Sequence, residues 1–144
     1  MTLTRLDAVA TTCRIDPGQE TQDSSGLHVR GRVFTDRVES ADARLDGTNR
    51  VTLDLDIKPA DGTGTLAGTF ELDLTNRAGT WKGQVAGHFE GGMVVAEAIA
   101  RGAGALDDAV LYVEYRQIGQ HPGRPPCAEP LAFFSMRGLM LASP

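Results

Sequence analysis

The residues of this 144-residue chain that could do chemistry are few, and they interrupt otherwise apolar runs. Glu97 and Arg101 lie within Met93 to Gly104, Tyr115 and Gln117 within Ala109 to Ile118, and Arg137 within Leu131 to Leu141. A carboxylate, a phenol and guanidiniums turned into an apolar lumen are costly unless they are paired or used. Two uses are open. Glu97 can form a structural ion pair with Arg101 or Arg137. Alternatively, Glu97, Tyr115 and Arg137 form an acid/base and charge-stabilising set in a desolvated pocket, where burial raises the pKa of Glu97.

Other chemistries find no support. His28, His88 and His121 have no metal-ligand spacing, and His28 and His88 share the polar parity of their segments, so all three read as surface groups and no metal is expected. There is no C-x-x-C and no G-x-S-x-G. Gly62-Thr63-Gly64-Thr65-Leu66-Ala67-Gly68 looks like a phosphate loop but precedes a strand, with no helix N-terminus to hold an anion. No cofactor is expected. Cys13 and Cys127 lie at opposite ends of the chain. In a reducing compartment they are expected to be free thiols. The alternative is a disulfide tying the termini, which would stabilise by roughly 4–5 kcal/mol in the entropic account.

The elements that must position these residues are strands. Apolar and polar residues alternate with period two in Leu27–Val33, Val51–Lys58, Leu66–Leu74 and Trp81–Phe89. The intervening Asp46-Gly47-Thr48-Asn49, Asp61-Gly62, Asn76-Arg77-Ala78-Gly79 and Gly91-Gly92 are hairpin turns, so consecutive strands are antiparallel neighbours. After Gly92 both faces turn apolar, which predicts cover on both sides: the lumen within and a partner subunit outside. With no helical periodicity to layer on the sheet, an eight-stranded antiparallel barrel, largely a meander, is the expected fold. Residues 27–144 form that single domain and residues 1–26, polar and weakly periodic, an N-terminal arm with at most one edge strand. Residues 119–130, rich in proline, form a lid over one mouth. If Trp81, Val85 and Phe89 point inward and the Gly91-Gly92 turn preserves phase, then Glu97, Tyr115, Phe133 and Arg137 also face the lumen. The expected cavity wall is Leu53, Phe70, Trp81, Phe89, Val113 and Phe133. A one-residue bulge would reverse the phase across residues 91–104, turning Glu97 out.

Size and charge narrow the function. The chain is one domain's worth of core. Its 14 Lys+Arg against 19 Asp+Glu, a net charge of −5, make nucleic acid a poor partner. No apolar run approaches the roughly 20 residues that span a bilayer, and Arg5 and Asp7 interrupt the stretch a signal peptide would need. A soluble, cytoplasmic protein without membrane contact is expected.

Gly64-Thr65-Leu66-Ala67-Gly68-Thr69-Phe70, Gly79-Thr80-Trp81-Lys82-Gly83, Gly102-Ala103-Gly104-Ala105-Leu106 and Met136-Arg137-Gly138-Leu139-Met140-Leu141 together resemble bacterial members of the allene oxide cyclase-like barrel superfamily, across about four-fifths of the chain. That superfamily includes plant oxylipin cyclases, dirigent proteins and spirotetronate-type cyclases. The resemblance implies an eight-stranded barrel, a homodimer or homotrimer, and a cavity that imposes conformation on an apolar substrate. No catalytic carboxylate or asparagine of that group aligns residue by residue, so no particular reaction is carried over. The function expected is a cofactor-independent cyclase or isomerase for a small, flexible hydrophobic molecule such as a polyene, oxylipin or polyketide. A non-catalytic ligand-binding barrel, or a filled barrel acting through its outer surface, are the alternatives.

Overall fold

The alternation becomes nine strands, with no helix among the described residues, 1–143, of the computed structural model. They are β1 (Thr2–Asp16), β2 (Gln19–Asp23), β3 (Gly26–Glu39), β4 (Gly47–Lys58), β5 (Thr63–Leu74), β6 (Gly79–Glu90), β7 (Met93–Gly104), β8 (Val110–Ile118) and β9 (Ala132–Ala142). From β3 to β9 each strand pairs antiparallel with the next, and β1 pairs with both β9 and β3. The ring is closed by eight strands, and β2 is an extra ribbon on the first part of β3.

The arm assigned to residues 1–26 is therefore corrected: β1 is the stave that closes the barrel. Its inward positions are Leu6, Ala8, Ala10 and Thr12, all buried. Three of these four are small or polar, so the period-two signal is weak in hydropathy although it is complete in burial.

Phase decides what faces the lumen, and three features set it. In an antiparallel ladder, directly opposed residues share a face. At the Gly91-Gly92 turn Glu90 opposes Met93 and Phe89 opposes Val94, so inward positions pass from odd numbers on β6 to even numbers on β7. A two-residue turn reverses numerical parity without any bulge. The second feature is a bulge on β3, where Val29 opposes Leu55 but Arg32 opposes Leu53. Gly31 takes the left-handed conformation there (φ 68°) and its N–H donates to Asp54 Oδ1 at 2.9 Å. Inward positions on β3 change from Leu27 and Val29 to Phe34, Asp36 and Val38. The third is the shift between Thr12 and Arg14 on β1, which leaves Cys13 without a partner on β3.

One end of the barrel is filled. Leu6, Leu45, Leu72, Trp81 and Leu111 are all essentially inaccessible there. The connection 40–46 folds beneath this end: Leu45 enters the core, and Trp81 Nε1–H donates to the Arg44 carbonyl at 2.7 Å. An indole buried without a partner for its N–H would lose much of its packing gain, so this bond fixes Trp81 as a plug.

The free-thiol expectation is overturned, because Cys13 and Cys127 form a disulfide. It pins the proline-rich connection to the wall at the β1 bulge. His121 Nε2 donates to Glu39 at 2.9 Å and packs edge-on against Phe133, 5.9 Å between ring centroids. The Leu131 N–H donates to the Thr12 carbonyl at 2.8 Å. Residues 119–130 are thus a strap across the outer wall. None of them lines the lumen cavity, which corrects the reading of this segment as a lid.

Candidate functional site

The other half of the barrel is hollow. A cavity of about 300 Å³ is walled by Phe34, Leu53, Phe70, Val85, Phe89 and Phe134, among others. That volume is at the small end of ligand pockets and suits a molecule below drug size. The turn glycine Gly92 and the side chains of Arg32 and Gln117 stand at its mouth. Arg32 is held by Glu20 and donates from Nε to the Pro17 carbonyl at 3.0 Å, while Gln117 Oε1 accepts the Val94 N–H at 2.9 Å. The mouth groups are thereby engaged, and the wall between mouth and floor is apolar.

The floor carries the chemistry. Asp36, 5% exposed, projects from β3 into the cavity, and its Oδ1 accepts from Thr12 Oγ1 at 2.6 Å. No cation pairs with it among the described residues. Burial pushes its carboxyl up to about 6, with the Thr12 hydrogen bond opposing. Tyr115 from β8 lines the same cavity and is held protonated far above the usual phenol range by burial and by the charge of Asp36. Asn49, fully buried, faces the Tyr115 hydroxyl, but neither end of its amide has a hydrogen bond of full geometry. The result is a carboxyl that titrates near neutrality opposite a phenol that stays a hydrogen-bond donor. That pairing is suited to proton transfer on a neutral molecule.

No known family model, curated protein or solved structure matches this chain. The site is therefore read from its own residues.

Of the positions anticipated from sequence, Leu53, Phe70, Phe89 and Tyr115 line the cavity. Trp81 and Val113 are inside the barrel but in its filled half, where they are packed and not ligand-facing. Glu97, Arg137 and Phe133 are corrected: all three face outward. Glu97 opposes Glu114, and Glu114 opposes Arg137, in a charged ladder across β7, β8 and β9. Phe133 lies under the strap, against His121. The reason is the parity reversal at Gly91-Gly92, repeated at each later hairpin. Two reversals return Tyr115 to the inside on β8, and a third turns Phe133 and Arg137 out on β9.

Asp36, Thr12 and Asn49 were missed. The Gly31 bulge moves Asp36 onto the inward face, and Gly31 itself was the available signal, a glycine inside an alternating strand.

A second polar cluster lies outside. His28 Nδ1 donates to Asp56 at 2.6 Å, and its Nε2 is 2.9 Å from Ser25 Oγ and 3.1 Å from Asp23. The Asp56 contact raises the pKa of His28. Asp23 holds both the hydroxyl and the N–H of Ser25, at 2.6 and 2.8 Å, so the serine caps its own turn and is not a free nucleophile.

Proposed function

We propose that this barrel binds a small, flexible, apolar molecule and acts on it as a cofactor-independent cyclase or isomerase. The observation that carries this reading is Asp36, a buried carboxyl without a cation at the floor of an apolar cavity. Removing a carboxylate from water without a paired cation costs several kcal/mol, and a barrel selected only for stability gains more from an apolar residue there. The cavity walls would restrict the substrate's conformation, and such orientation can itself lower a barrier by several kcal/mol. The glycine placement resembles that of allene oxide cyclase-like barrels, a likeness that would point the same way, because there too the cavity imposes a conformation.

The test is titration with the apolar fluorophore prodan, which approaches the cavity in size. Saturable binding that disappears in Ala96→Trp, whose indole would fill the lumen, supports the reading. Binding that is absent, or unchanged in that variant, overturns it. A non-catalytic carrier would bind equally well but turn nothing over.

The partner in this reading is a second copy. On the outer wall Leu3 opposes Leu141, Leu141 opposes Val110, Leu139 opposes Tyr112, and Tyr112 opposes Ile99, so these side chains form one apolar stripe. Ile99 is 57% exposed and Leu139 44%. Glu97, Glu114, Arg101 and Arg137 flank the stripe with both signs of charge, which two copies related by a twofold axis can pair. Sedimentation should show a dimer or trimer that Ile99→Lys dissociates; a wild-type monomer at micromolar concentration rejects this assignment.

A further inference from the structure

Around the ring β3 and β8 are separated by β1 and β9, so Asp36 and Tyr115 approach the cavity from well-separated strands of the wall. Asp36 uses Oδ1 for Thr12, and its remaining oxygen makes no side-chain hydrogen bond among the described residues. The Tyr115 hydroxyl is likewise free of a hydrogen bond of full geometry, with the Asn49 amide close behind it. Between these two groups and the mouth the wall presents aliphatic and aromatic carbon.

This arrangement discriminates among polar head groups. A carboxylate or phosphate driven to the floor would meet Asp36 with no cation to compensate, which a low-dielectric site penalises heavily. A hydroxyl could be accommodated, but it gives a base nothing to do at carbon. A carbonyl fits both groups, since its oxygen accepts from Tyr115 and the acidic C–H beside it can meet Asp36.

We propose that the substrate is an apolar ketone or enone, and that the reaction is proton transfer at the carbon next to its carbonyl. This deepens the proposed function and rests on it. The Asp36 carboxylate takes the α-proton, and the C–H electron pair becomes the new carbon–carbon double bond. The carbonyl π pair moves onto oxygen, where the charge is met by the hydrogen bond from Tyr115, with the Asn49 NH₂ behind it. The protonated Asp36 then returns the proton to the α-carbon, which racemises or exchanges it, or to the γ-carbon of an unsaturated ketone, which shifts the double bond. No electron leaves the substrate and no co-reactant is needed. A positioned base contributes about 10²–10⁴-fold, and one oxyanion donor about 10²–10³-fold.

The experiment uses 2-tetralone, a compact apolar ketone. Its binding is read by displacement of prodan, and its chemistry by deuterium uptake at the α-carbon in D₂O, followed by NMR with the uncatalysed rate subtracted. Wild type should displace the probe and accelerate uptake. Asp36→Asn should bind the ketone as well as wild type but lose at least 10²-fold of the acceleration, while Tyr115→Phe loses about 10²-fold and Glu97→Gln none. Wild type that binds the ketone but exchanges its protons at the background rate overturns this inference and leaves the cavity reading standing. Acceleration that survives Asp36→Asn also overturns it. If neither prodan nor ketone binds, both readings fall together.

Discussion

The two halves of one barrel interior end differently: one is solid and the other hollow. In the solid half, Trp81, Leu72, Leu111 and Leu6 meet side chains delivered from outside the strands, Leu45 from the connection 40–46 and Leu106 from the turn after β7. In the hollow half Gly91-Gly92 between β6 and β7 and residues 59–62 between β4 and β5 are short. The long connection 119–131 between β8 and β9 is drawn onto the outer wall by the Cys13–Cys127 bond, so none of these brings a side chain back over the mouth. Gly68 and Gly83 face the lumen where neighbouring strands pass so closely that a Cβ would sit 1.8 Å from the Thr52 carbonyl oxygen or 1.9 Å from that of Ile99. An eight-stranded ring is just wide enough to be either filled or occupied. Whether a connection folds a side chain back into the interior decides which, and here that divides the same ring into a foundation and a site.

That division can be broken most strongly at the plug. Trp81→Ala removes the largest buried side chain and strands the Arg44 carbonyl, and it should cost about 3–5 kcal/mol in denaturant unfolding. Phe89→Ala, at the partly open mouth, should cost distinctly less and should act mainly on prodan affinity. Equal losses at both sites would mean that the halves are not mechanically distinct.

A smaller effect separates the floor from the rest. The Asp36 carboxyl titrates higher in the folded state, at about 6, than in the unfolded chain, near 3.8. Its contribution to stability is therefore complete below about pH 4 and is lost as pH rises through 6. Asp36→Asn should gain on wild type over that window, reaching roughly 2–3 kcal/mol at pH 8 by the two-unit shift. Thermal melts of both proteins from pH 4 to 8 give the difference directly. A difference that stays flat with pH, or that shrinks as pH rises, rejects the desolvated carboxyl.

The smallest effect is expected outside. Glu97→Gln and Arg137→Gln alter exposed groups of the outer ladder and should shift stability by less than about 0.5 kcal/mol. Prodan binding should not change in either. A large loss of binding in either variant would reconnect the outer ladder to the lumen.

Much of the site's wall was legible, and little of its chemistry. Leu53, Phe70 and Phe89 could be placed because they lie on strands whose alternation is strong and uninterrupted. Tyr115 was placed inside through two parity reversals that cancel. Glu97 and Arg137 drew attention as charges in apolar runs, but those runs are apolar because their outer face carries Val95, Ile99 and Leu139 while the lumen receives Ala96, Ala98 and Gly138. Asp36 is a charge in a polar segment, and only Gly31, five positions before it on β3, signals that the strand changes phase there.

Period-two alternation, turn chemistry and the absence of helical periodicity suffice for an antiparallel barrel, because each depends on residues a few positions apart. Phase and long-range pairing, by contrast, exist only in the folded barrel. One glycine at position 31 re-aims every side chain that follows it on β3, and one two-residue turn reverses the numbering of β7. The Cys13–Cys127 bond, the strap it anchors and the meeting of Asp36 with Tyr115 join residues 114 and 79 positions apart. Those distances collapse only when β1 closes the ring, and no local pattern records where a ring will close.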